Sequence, residues 1–231
     1  MRIASGITTS HRDPDTLRES LASLSLAGFT MPHIFAEPDA KLCRRVRVVR
    51  NKTKLGPWRN FKSGLRFLLA NYPGADAYAM FQDDIEVSAG LRPYLDLKLF
   101  PAEDCGVVSI YTPEFHQSES TGMHPVTDMF ELQRMYGALA YLFPGRVAKK
   151  LVDTTQGSEC LTKTDQWVAR FCIDEGLSYW HHSPSLVRHL AVESSSIRPE
   201  ASYLHNHQYR QCGRFCEDAR DLLLPGGVAC R

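Results

Sequence analysis

The stretch Tyr78-Ala79-Met80-Phe81-Gln82-Asp83-Asp84-Ile85-Glu86 changes character within two residues. Tyr78 to Phe81 is a short apolar run of the kind that forms a buried strand, and Gln82-Asp83-Asp84 ends it abruptly. Acids at the C-terminal end of a hydrophobic strand stand where open α/β sheets hold their ligands. Hard carboxylate oxygens suit Mg2+ or Mn2+, which keep open positions for substrate phosphates. A solvated acidic turn would carry the same two residues, so the flanking sequence has to decide.

Upstream, Arg2 to Thr8 reads as a strand, and Asp13-Pro14 as the N-cap and first position of a helix continued by Leu17, Leu21 and Leu24. Gly28 closes it, a residue that tolerates positive φ at a helix C-terminus. Two more short runs, His33 to Glu37 and Val46 to Arg50, precede Gly56-Pro57, which opens a helix whose Trp58, Phe61, Leu65 and Leu68 share a face. Downstream, the pattern predicts a helix over Leu91 to Leu99 and strands at Gly106 to Tyr111 and Tyr136 to Phe143. Helices over Gly145 to about Val152 and Thr164 to Glu175 follow, then a strand at Leu177 to Trp180. Thr112 to Arg134 is polar without sustained periodicity and reads as a long functional loop that orders over a bound ligand. Strands alternating with helices predict an α/β layered sheet.

The 231 residues are 43% hydrophobic and 23% charged, the balance of one globular domain, 1–231, with an irregular tail from about residue 198. Lys and Arg total 27 against 26 Asp and Glu, so a net charge of +1 offers no general field for nucleic acid. No apolar run reaches the roughly 18 residues of a membrane helix, and Met1 to Ile7 is too short for a signal peptide. The chain reads as cytoplasmic, or as a trimmed lumenal or extracellular catalytic domain. Seven cysteines, several of them isolated, favour free thiols. His205, His207, Cys212 and Cys216 offer four zinc-type ligands, although the spacing matches no zinc module, and thiols or a tail disulfide are the simpler reading.

Several segments together resemble the GT-A glycosyltransferases. These are Ile7 to Arg12 after the first strand, Asn51 with Gly56-Pro57-Trp58-Arg59-Asn60 at a helix start, and Gln82-Asp83-Asp84. Tyr136-Gly137-Ala138-Leu139-Ala140-Tyr141 and Thr164-Asp165-Gln166-Trp167 continue the resemblance. Pro184-Ser185-Leu186-Val187-Arg188-His189, followed by Ser194-Ser195, resembles the C-terminal stretch of the N-acetylglucosaminyltransferase IV type. The resemblance implies a Rossmann-like three-layer sandwich with a mostly parallel central sheet. It implies an inverting, metal-dependent transfer of a sugar, N-acetylglucosamine as the first choice, from a UDP-sugar to a glycan or other hydroxyl acceptor. Gln82 departs from the pattern, since an acid is usual there.

On this reading Asp84 and His189 hold Mn2+ or Mg2+, and Asp83 is secondary. Thr8, Ser10, Arg12, Asn51, Lys54, Arg59 and Asn60 contact the nucleotide or its phosphates, and Gly137 and Ala138 line the pocket. Asp165 is the catalytic base, a task for a carboxylate within hydrogen-bond reach of the attacking hydroxyl. Its place at a helix start also suits a cap. Trp58 and Trp167 lie on helix faces and read as core, Trp180 as the freer ring, and His181-His182 as structure. Two other functions remain open. A nucleotidyltransferase would want a glycine-rich loop that Thr8-Thr9-Ser10 lacks, and a non-catalytic nucleotide-sugar-binding module is kept open by Gln82.

Overall fold

The structure, a computed structural model, describes residues 1–42, 47–128, 137–154, 163–190 and 214–224. Its centre is an eight-stranded mixed sheet in the order β3-β2-β1-β4-β8-β6-β9-β7. The strands are β1 (Ile3–Thr9), β2 (His33–Ala36), β3 (Val48–Arg50), β4 (Ala77–Gln82), β6 (Cys105–Ser109), β7 (Gly122–Val126), β8 (Ala140–Pro144) and β9 (Ser178–Ser183). β1 pairs parallel with β2 and β4, β2 with β3, and β6 with β9, while β8 and β7 run antiparallel to their neighbours. A separate antiparallel ribbon joins β5 (Ile85–Val87) to β10 (Val187–His189). The α/β reading therefore holds.

Five helices are described: α1 (Leu17–Leu26), α2 (Pro57–Asn71), α3 (Leu91–Lys98), α4 (Gly145–Thr154) and α5 (Thr164–Asp174). α1 and α3 bury Leu17, Leu24, Leu91 and Leu95 in one apolar cluster with Ile7, Ala79 and Phe81. The second cluster joins α2, α4 and α5 to Phe35, Met80, Tyr141 and Tyr179. Successive strand residues point to opposite faces, which is why Phe81 and Met80 belong to different clusters. Trp58, Phe61, Leu65 and Leu68 form the predicted inner face of α2. Each such burial is worth about 1.5–3 kcal/mol over exposure. Gly64 lets that helix approach the sheet closely, because a Cβ there would lie 2.6 Å from the Phe35 ring.

Three expectations change. α1 starts at Leu17 rather than Pro14: the chain first turns through Asp13–Pro14, and Asp15 Oδ1 then accepts from Leu17 N at 3.1 Å. The segment read as a continuous loop from Thr112 contains β7, an edge strand paired with β9 through His124↔His181 and Pro125↔Trp180. An edge position tolerates proline, and its polar pattern concealed it. The tail is also part of the fold over 214–224, where Phe215 bridges Ser185, Asp218 bridges Ala89, and Cys216 is buried. Cys105 and Cys172 are free buried thiols. His205, His207, Cys212, Ser194, Ser195 and Tyr136 lie outside the described residues.

Candidate functional site

The C-terminal ends of the parallel strands β1 and β4 lie side by side, with Thr8 in register with Gln82. Thr8 Oγ1 donates to Phe81 O at 3.3 Å, and Thr9 Oγ1 donates to Asp83 Oδ2 at 2.5 Å. Arg12, in the turn after β1, spans both acids: Nε reaches Asp83 Oδ1 at 2.8 Å and Nη2 reaches Asp84 Oδ2 at 2.9 Å. Ser20 of α1 braces the turn from below, its hydroxyl accepting from Ile85 N at 3.0 Å. Asp83 and Asp84 are both buried. These acids therefore do not form the solvated turn that the sequence also allowed.

The ribbon of β5 and β10 delivers the next residue. Its register pairs His189 with Ile85, and Leu190 N donates to Asp84 O at 2.8 Å. His189 Nε2 consequently stands 3.1 Å from Asp84 Oδ2. The other ring nitrogen, Nδ1, donates to Leu190 O at 2.6 Å. A neutral imidazole carries one N–H, so with Nδ1 as donor the Nε2 lone pair faces a carboxylate oxygen. That arrangement is stable only with a second proton on the ring or a cation shared by the two atoms. Asp84 Oδ1 is buried and has no hydrogen-bond partner among the described residues. Burial works against the charge on Asp84, yet His189, by hydrogen bond and charge, together with Arg12 holds its carboxyl below the usual value. Burial dominates at Asp83 and raises it despite Arg12.

Further along the same edge, Gln82 N donates to Leu139 O at 2.9 Å, which seats the 137–139 segment beside the acids. Gly137 has φ +95°, and a Cβ there would lie 2.6 Å from the Tyr111 ring. Its N–H donates to Asp165 Oδ2 at 3.1 Å, while Asp165 Oδ1 accepts from Gln166 N at 2.9 Å. Lys163, not Asp165, holds the N-cap position of α5. Asp165 thus ties a loop to a helix and is not a cap. Burial raises its carboxyl above the usual value, against the two backbone donors. Ala138 is buried in the cluster that holds the stacked Trp58 and Trp167 rings, 5.3 Å apart.

At the other end of the edge sits a group organised by Glu37, a residue the sequence reading did not single out. Its buried carboxylate accepts from Leu55 N at 3.0 Å and Gly56 N at 2.7 Å, and its own N–H donates to Thr9 O. Asn51 Nδ2 donates to Asn60 Oδ1 at 3.0 Å, and Asn60 Nδ2 to Phe35 O at 3.0 Å. These bonds fix the entry to α2. Lys54 instead pairs with Asp39 on the surface, and Arg59 is exposed on the first turn of α2. Ser10 is half-buried between Thr9 and Arg12. Trp180, read as the freer ring, donates to Ser178 Oγ at 2.8 Å and packs partly on the core.

Two ionisable side chains, Asp84 and His189, could hold an ion; among the described residues no group of three or more His, Cys, Asp or Glu is gathered at ligating distance. No helix among them is long and apolar enough to cross a membrane. No known family model matches the chain, and no curated protein is similar to it.

Proposed function

We propose that the chain is a GT-A-type glycosyltransferase that moves a sugar from a nucleotide-diphosphate donor, UDP-linked by resemblance, to a hydroxyl acceptor. The observation that carries this reading is the Asp84–His189 pair. A carboxylate with one orphaned buried oxygen stands 3.1 Å from an imidazole Nε2, beside the ends of two parallel strands. Carboxylate and imidazole suit Mn2+, and two protein ligands leave room for water and phosphate oxygens. The hydrogen bond from His189 Nδ1 to a backbone carbonyl is the outer support that metal-bound histidines carry. When bound, the ion offsets the negative charge that develops on the departing diphosphate.

The chain's own residues supply the rest. Arg12 Nη1 is buried without a partner among the described residues, a donor left over for a phosphate oxygen. Glu37 and Asn60 hold the start of α2, where nucleotide contacts are expected, in one conformation. Asp165, with its raised carboxyl, takes the proton from the attacking hydroxyl, and Gly137 N keeps its oxygen in place. A non-catalytic binding module would share the cluster but not need the base.

Thermal unfolding with UDP tests the donor site directly, because a ligand bound only by the native state raises Tm. The expected result is a rise with UDP and Mn2+ together, much smaller with UDP in excess chelator, and absent in Asp84→Ala. An equal rise in all three conditions would remove the ion from the site.

A further inference from the structure

The loops that lead into the parallel strands lie at the sheet edge opposite the acidic cluster. They enclose a cavity of about 390 Å3, walled by Arg2, Phe29, His33, Arg47, Tyr72 and Arg92. An adjoining hollow of about 690 Å3 shares Met31 and Arg47 and adds Arg18 of α1. No Asp or Glu is among the described residues that line either one. A chain of net charge +1 has here gathered four guanidinium groups around one concave surface.

Their hydrogen-bonding capacity is only partly used. The guanidinium of Arg2 lies over Gly74 and has no hydrogen-bond or ion-pair partner among the described residues. Arg47 commits Nη1 to Met31 O at 2.9 Å and leaves its remaining donors without a partner among the described residues, on a backbone with φ +56° that few residues other than glycine adopt. Arg92 is the exception, bound to Asp96 at 3.2 Å and to the Met1 carbonyl. Asp96 offsets Arg92, and Asp76 accepts from Arg2 N at 2.7 Å, so the guanidinium groups left to attract an entering anion are those of Arg2, Arg47 and Arg18. Guanidinium presents parallel N–H donors that match phosphate oxygens. The volume is in the range of small-ligand sites, roughly 300–1,000 Å3.

We propose that this cavity is an anion site that takes a phosphate group, separate from the acidic cluster and independent of the function proposed for it. Two sources offer that chemistry: a free phosphate compound, and the headgroup of an anionic lipid, for which the exposed Leu26 and Met31 nearby would supply apolar contact.

Calorimetric titration of the full chain with inorganic pyrophosphate, free of divalent cation, tests the site. Parallel cosedimentation with phosphatidylglycerol or phosphatidylcholine vesicles separates the two sources. The expected result is binding of pyrophosphate, of the anionic vesicles, or of both, weaker at about 300 mM than at about 50 mM salt. Arg2→Gln with Arg47→Gln should weaken it at least about tenfold. Arg18→Gln, an exposed change on α1, should give a smaller loss, and Lys149→Gln, an exposed change on α4, should leave binding unchanged. Binding that survives the arginine substitutions, binding lost equally in Lys149→Gln, or no binding of either pyrophosphate or the anionic vesicles would overturn the proposal.

Discussion

Both carboxylate oxygens of Asp165 accept from backbone N–H groups, so the residue has a structural tie as well as the proposed chemical task. Asp165→Asn turns one of those acceptors into an amide that faces an N–H, and a modest fall in Tm is expected. As the base, Asp165 must be ionised, and burial sets its carboxyl above the ordinary range. Turnover should therefore rise with pH through that raised value, and the Asn variant should lose roughly 10²-fold or more in kcat together with that acid limb. An Asn variant that keeps both its rate and its pH profile would leave Asp165 as a tie only. At this scale the sequence separated some roles and not others. Arg12 and Lys54 are both basic residues in turns, yet one spans the buried acids and the other pairs with Asp39 on the surface. Nothing in their types distinguishes them, because the difference is made by contacts to residues 71 and 15 positions away in the chain.

The ribbon of β5 and β10 is two three-residue strands far apart in sequence, and its register is what sets His189 against Asp84. Short strands leave little periodicity, so this element was not legible, although its residues were named. The helices were read better, since Pro57 at a first turn and the apolar spacing of Trp58 to Leu68 are local signals. The support beneath α2 was not: Glu37 sits in Ala36-Glu37-Pro38 like any surface acid, and only the fold shows it buried with Leu55 N and Gly56 N on its carboxylate. Glu37→Gln replaces one accepting oxygen with an amide group and weakens charge-assisted bonds. The expected cost is about 1–3 kcal/mol in urea unfolding, with nucleotide affinity reduced as the α2 entry loosens. Unchanged stability and affinity would show that the entry is held by other bonds.

Across the whole molecule, the alternation of strands and helices made the α/β class readable, while the strand β7 and the antiparallel direction of β8 came only with the structure. One global property follows from β9, which buries two adjacent histidines on opposite faces. Burial, with the neighbouring histidines, pushes His181 down to about 3; burial likewise brings His182 to about 4, while Tyr94 donates to its Nε2 at 2.7 Å. An unfolded histidine titrates near 6.5, so below that pH the unfolded chain binds protons that the fold rejects. Stability should be full above about pH 7 and fall as the pH drops from about 6.5 toward 4, by up to about 2.7 kcal/mol per pH unit from the two sites. Urea unfolding across that window checks it, and a flat profile would mean that the histidines are reached by solvent. The central claim concerns the other edge of the sheet, where Asp84, His189 and Arg12 converge. Its most direct test is the release of nucleoside diphosphate from a panel of nucleotide sugars with Mn2+, measured for the native chain and for Asp84→Ala. Release by the native chain from at least one donor, abolished in Asp84→Ala, is the predicted result; no release from any donor, with or without hydroxyl acceptors, or full release by Asp84→Ala, would contradict it.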